Sequence, residues 1–149
     1  MTFWIQNQIY GTLFRWINDK GTIMPGVYEI CVTDHFAAAH SLKGYDGNCS
    51  NLHGHNWIVE AHIQCTKLNK LGIGIDFRDV KAVVKDVLSK LDHTNLNEVV
   101  EFSSINPTSE NLAKFLYREL SRRLNTDYTK VSKVMVFESP GCGSSYMEK

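Results

Sequence analysis

The chain lacks any run of about 20 apolar residues, the length a membrane-spanning helix needs, so nothing in it reads as a membrane span. It also lacks an excess of charge of either sign. Lys+Arg and Asp+Glu number 16 each, whereas nucleic acids and acidic membranes are captured by surplus Lys and Arg. A small anionic substrate stays compatible, because it needs only a few local cations. The first twenty residues have neither a basic start nor a clean apolar stretch, and no secretion signal is expected. The four cysteines, Cys31, Cys49, Cys65 and Cys142, form no C-x-x-C pair. A reduced cytoplasmic chain is the expectation, and a disulfide framework is not. Repeats and low-complexity tracts are absent too.

What remains is 149 residues, 43% of them hydrophobic, enough for one domain with its own core. Residues 1–25 are rich in Trp, Phe and Asn without a clean period and read as an N-terminal extension of unknown role. Met24 is a candidate alternative start. The domain is expected over residues 26–149.

Alternation and helical spacing divide that domain. Val27–Phe36 is rich in β-branched and aromatic residues and predicts a strand. A polar loop over Ser41–Asn51 separates it from a second strand, His53–Thr66. There Trp57, Val59, Ala61, Ile63 and Cys65 share one apolar face. Apolar residues at i, i+3, i+4 and i+7 predict helices over Phe77–Leu91 and Ser109–Leu124. Asp76 or Asp79 is the candidate cap of the first and Thr108 of the second. Val131–Glu138 predicts a third strand, and Ser145–Met147 a short last one. The fold class is therefore α+β: a four-stranded antiparallel sheet with two helices on one face, in the order ββααββ. Its two edges need covering, which makes self-association an expectation.

Histidine supplies the sharpest chemical signal. His53 and His55 lie two apart on a strand and face the same way. His40 becomes a third donor if its segment pairs beside them, and three neutral imidazoles with one open position suit a catalytic zinc. An isolated H-x-H is a weak signal, and the third histidine strengthens it. Gly54, facing away, is expected to allow close backbone approach. His62 lies on the opposite face and is rejected as a ligand of this site; His35 is read as a surface residue or a brace for a ligand.

Cys49 sits in a polar loop four residues before His53, where a metal or charged imidazole would favour thiolate. Cys31 and Cys65, inside strand patterns, read as small buried hydrophobes. Asp92 and His93 at the end of the first helix suit proton transfer, although such a pair on its own is more often a helix C-cap with a solvated histidine. Glu138 ends a strand. Its acceptor-only carboxylate matches the paired N–H donors of an amino-pyrimidine ring, though a solvated strand-end glutamate looks the same.

Taken in order, FAAAH with His40, C-S-N-L-H-G-H-N (Cys49 to Asn56), I-D-F (Ile75 to Phe77), L-D-H-x-x-L-N (Leu91 to Asn97), N-P-T-S-E-N (Asn106 to Asn111) and F-E-S-P (Phe137 to Pro140) resemble the 6-pyruvoyl-tetrahydropterin synthase family. The likeness spans residues Val27 to Tyr146. The four-residue spacing from Cys49 to His53 is most similar to the branch forming 6-carboxy-tetrahydropterin, on the route to queuosine.

The resemblance implies the tunnelling fold (T-fold), with subunits joined edge to edge in trimers and two trimers in a hexamer. It implies active sites between subunits, each with one zinc on His40, His53 and His55. Cys49 would be the base, Asp92 and His93 the proton relay, and Glu138 the pterin anchor. Thr108, Ser109 and Glu110 would line the pocket. The implied substrate is 7,8-dihydroneopterin triphosphate. A 6-pyruvoyl-forming enzyme and a non-catalytic, zinc-stabilised pterin-binding protein are the competing readings.

Overall fold

The computed structural model describes residues 26–148; the extension read over residues 1–25 lies outside them. Strand β1 (Tyr28–His40) pairs antiparallel with β2 (His53–Cys65), and β2 pairs with β4 (Thr129–Ser139). Strand β5 (Cys142–Tyr146) folds back on β4, and the two-residue β3 (Thr94–Asn95) runs parallel to β1 at Ala38–Ala39. The sheet order is β3-β1-β2-β4-β5. Helices α1 (Phe77–Leu88) and α2 (Ser109–Leu124) both follow β2.

The expected four-stranded antiparallel sheet is thus corrected to a mixed one of five strands. A strand of two residues carries no period to read. It forms because His93, at φ 57, turns the chain back against the edge of β1. Three of the boundary shifts exceed two residues. Strand β1 runs past Phe36 through Ala37–Ala39 to His40, since pairing with Gly54–Asn56 overrides alanine's poor strand propensity. Helix α1 stops at Leu88, although Leu91 continues its apolar spacing and is fully buried. Strand β5 starts at Cys142, because Gly141 (φ 85) closes a tight turn from β4.

The alternation in β2 holds throughout: Trp57, Val59, Ala61, Ile63 and Cys65 are completely buried. Val80, Val84 and Val87 of α1 and Leu112, Leu116 and Leu120 of α2 complete that core. Burying each such side chain contributes roughly 1.5–3 kcal/mol. Both caps are in place. The Asp76 carboxylate accepts from Arg78 N at 2.8 Å and Thr108 Oγ1 accepts from Asn111 N at 3.3 Å. None of the described helices is long and apolar enough to cross a membrane. Cys31 departs from its expectation. It points away from the helices and is exposed, while Cys65 is buried as read.

Candidate metal centre and its surroundings

Strand pairing builds the centre. His40 is the direct register partner of His53, and Ala38 that of His55, so the three rings emerge on the helix-covered face at one end of β1 and β2. Their ring centroids lie 4.6 to 5.1 Å apart. Trp57 closes the inner side, edge-on to His40 and His55.

Hydrogen bonds set the tautomers. His40 Nδ1 donates to the Pro107 carbonyl at 2.7 Å, and His53 Nδ1 donates to the Asn51 carbonyl at 2.8 Å. Each Nε2 therefore presents a lone pair, and the two Nε2 atoms face each other at 3.1 Å. Two lone pairs at that distance repel unless a cation lies between them. His55 Nε2 is buried and has no hydrogen-bond partner among the described residues, which normally costs about 1–3 kcal/mol. Burial holds His40 below the ordinary imidazole pKa, in the neutral form a metal requires. Ligands of a tetrahedral zinc with bonds of about 2.0–2.1 Å stand about 3.3 Å apart. The donor set present fits zinc by tautomer, spacing and orphaned nitrogen alike.

Glu138 lies on the same face, and its negative charge reaches His40. Thr108, Ser109 and Glu110 form the start of α2, immediately after the Pro107 carbonyl that fixes His40. Ser109 Oγ meets Ser144 Oγ of β5 at 2.8 Å. The Glu110 carboxyl is held low, chiefly by its own backbone N–H and then by the Thr108 hydroxyl. Cys49 is half-buried in the single turn Asn48–Ser50, and its carbonyl accepts from Leu42 N at 2.8 Å, closing the loop after β1.

Asp92 and His93 are placed elsewhere in the chain. They follow the end of α1, on the side of β1 away from β2. The expectation that they close the helix is corrected, because the helix ends four residues before Asp92. Asp92 Oδ1 accepts from Ala37 N at 2.8 Å, and His93 N donates to Ala37 O at 2.6 Å. The second carboxylate oxygen stands 2.9 Å from His93 Nδ1. That backbone clamp holds His93 in the left-handed region at φ 57, a strained conformation that costs on the order of 1 kcal/mol. Its ring is mostly exposed and borders a shallow groove of about 550 Å³ with Ala37–Ala39, Gly54–Asn56 and Thr94–Asn95. A Cβ at Gly54 would meet only Ala38 O, at 3.8 Å. Among the described residues nothing crowds Gly54, contrary to expectation. Its missing side chain leaves the groove open.

Two residues that sequence reasoning gave no role hold the frame. Asn97 accepts from Ser41 N at 2.7 Å and donates to Ser41 O at 2.8 Å. Asn106 treats Lys43 the same way, at 2.8 and 3.0 Å. Both amides act as substitute strand partners for the loop between His40 and Cys49. An asparagine just before Pro107 was the available signal, since its side chain both donates and accepts as a peptide does. His35 points into solvent and His62 to the far face of the sheet, as expected.

A family model described as 6-pyruvoyl tetrahydropterin synthase matches residues 29–149. An Archaeoglobus fulgidus protein, provisionally named 6-carboxy-5,6,7,8-tetrahydropterin synthase, is 39% identical over 105 residues, covering 70% of this chain and 86% of its own. The 6-pyruvoyl tetrahydrobiopterin synthase of Dictyostelium discoideum is 35% identical over 109 residues, covering 72% and 79%. Among solved structures, Caenorhabditis elegans 6-pyruvoyl tetrahydropterin synthase superposes with a TM-score of 0.72 at 25% identity, over 92% of this chain and 100% of the other.

Proposed function

Since the chain belongs to the 6-pyruvoyl tetrahydropterin synthase family, we propose that it is a zinc-dependent 6-carboxy-5,6,7,8-tetrahydropterin synthase. It converts 7,8-dihydroneopterin triphosphate and water into 6-carboxy-tetrahydropterin, acetaldehyde and triphosphate, a cytoplasmic step toward queuosine and other 7-deazaguanines. The observation that carries the reading is the convergence of His40, His53 and His55, with facing lone pairs and an orphaned nitrogen.

His40, His53 and His55 hold one zinc per subunit, which supplies Lewis acidity to the oxygens of the substrate side chain. Glu138 accepts from adjacent N–H groups of the pterin ring and fixes its orientation. Fixed orientation removes part of the entropic barrier. Thr108, Ser109 and Glu110 line the ring's edge. Cys49 removes a proton from the side chain as its thiolate, and His93 relays a proton to the departing fragment. Asp92 keeps His93 oriented; the Ala37 N–H is the main cause of its low carboxyl pKa, so it stays an acceptor through the cycle.

A homohexamer of two trimers completes the reading. Strand β3 covers β1 only at Ala38–Ala39 and the Asp92–His93 clamp takes up Ala37, so among the described residues the edge from Tyr28 to Phe36 has no strand partner and is available to a second copy. Asp92 and His93 sit at the β1 edge, on the side away from the strand that carries His53 and His55, which supports sites assembled from more than one subunit.

The second reading is a 6-pyruvoyl product, favoured by the Dictyostelium relative's name. Incubation with 7,8-dihydroneopterin triphosphate, with zinc measured on the same sample, decides. Acetaldehyde together with a 6-carboxy product is expected. A 6-pyruvoyl product without acetaldehyde selects the second reading, and no turnover by the zinc-loaded chain refutes both.

A further inference from the structure

The face of the sheet opposite the helices carries a second constellation. Cys31 of β1 and His62 of β2 are direct register partners, and Glu60 lies two residues along β2 on the same face. Cys31 Sγ stands 3.8 Å from His62 Nε2, and a Glu60 carboxylate oxygen 3.6 Å from that nitrogen. One donor atom from each residue lies within 4.8 Å of the other two. With zinc–sulfur bonds of about 2.3 Å and zinc–nitrogen bonds of about 2.0–2.1 Å, tetrahedral ligands stand about 3.4–3.6 Å apart. Both distances from His62 Nε2 are a few tenths of an ångström from that arrangement.

The surroundings fit as well. Glu29 faces the other nitrogen of His62, Nδ1, at 3.3 Å, and Ser132 Oγ donates to the second Glu29 oxygen at 2.9 Å. A carboxylate behind a histidine in this way directs the opposite nitrogen at a metal and raises its basicity. Against thiolate formation, burial and then the Glu60 charge hold the Cys31 thiol above its ordinary pKa, so the charge of the metal has to displace the proton. Lys133, across from His62 on β4, offsets part of that negative charge.

We propose that Cys31, Glu60 and His62 form a second divalent-metal site of the zinc class, separate from the three-histidine centre and pinning β1 to β2 on the open face. Thiolate, imidazole and carboxylate together select zinc over magnesium or calcium, which take oxygen ligands alone. On binding, the Cys31 S–H bond breaks, its proton passes to solvent and a metal–sulfur bond forms. Affinity therefore falls as pH is lowered. The fourth position is left to water.

Cobalt(II) separates the two sites, because only a thiolate ligand gives a near-ultraviolet sulfur-to-cobalt charge-transfer band. The full chain is stripped with chelator, reloaded with zinc for metal analysis and with cobalt for spectroscopy. The expected result is that wild type shows the band, and that Cys31→Ser loses it together with one metal equivalent per chain. His62→Gln should do the same if Cys31→Ser folds poorly. His53→Ala should keep the band, so the outcome does not depend on the catalytic proposal. A wild-type chain without the band overturns the inference. So does a Cys31→Ser chain that keeps either the band or the full metal count.

Discussion

His40 and His53 are cross-strand partners whose Nε2 atoms face each other at 3.1 Å, while each Nδ1 is committed to a backbone carbonyl. While both rings are neutral, neither can donate to the other without giving up that carbonyl. The pair is therefore stable as an acceptor pair only around a cation. His53→Ala removes one acceptor and should remove one zinc per chain, along with turnover. Metal analysis beside a turnover assay checks this, and a full metal content in the variant contradicts the assignment.

Substitution of Cys49 tests whether metal binding and chemistry separate. It lies in the turn Asn48–Ser50, held by its backbone rather than its sulfur. Cys49→Ala should leave the fold and the metal at His40, His53 and His55 unchanged. Loss of a general base should lower turnover by about 10²–10⁴-fold. Turnover within a few-fold of wild type would remove Cys49 from the mechanism.

How much of this was legible depends on whether a residue lies in a periodic stretch. The alternation from Trp57 to Cys65 placed His53 and His55 on one face and His62 on the other, and the pairing of β1 with β2 agrees. Ala37–Ala39 carry no strand signal of their own, so the extension of β1 that brings His40 opposite His53 emerged only from tertiary pairing. Leu91 kept the helical spacing after the chain had left the helix, which misplaced Asp92 and His93. Cys31 was misread by residue type. Its odd position in β1, between buried Val32 and half-buried Ile30, already put it on the open face.

Glu138 shares the metal face, and its charge reaches His40. If it anchors the pterin, Glu138→Ala removes hydrogen bonds to a charged acceptor, worth about 1.5–3 kcal/mol. That corresponds to a loss of roughly 10–100-fold in substrate affinity, with zinc content retained. Titration calorimetry with a non-reacting pterin measures it. Unchanged affinity would reduce Glu138 to a structural neighbour of His40.

The Asp92 clamp makes a prediction about acid. The Asp92 carboxyl is held below its ordinary pKa, chiefly by the Ala37 N–H and then by His93. Above about pH 5 it is ionised in both folded and unfolded chains, and its contribution to stability is fully present. As pH falls through the ordinary aspartate value of about 3.9, the unfolded chain takes up a proton first. Stability then drops until the folded carboxyl is protonated as well. Asp92→Asn keeps an acceptor for Ala37 but loses the charge. The variant should be less stable than wild type at both pH 7 and pH 5, with the gap closing toward pH 3. Urea midpoints at pH 7, 5 and 3 measure the gap. A gap that stays constant down to pH 3 would mean that the charge on Asp92 contributes nothing to holding His93 against β1.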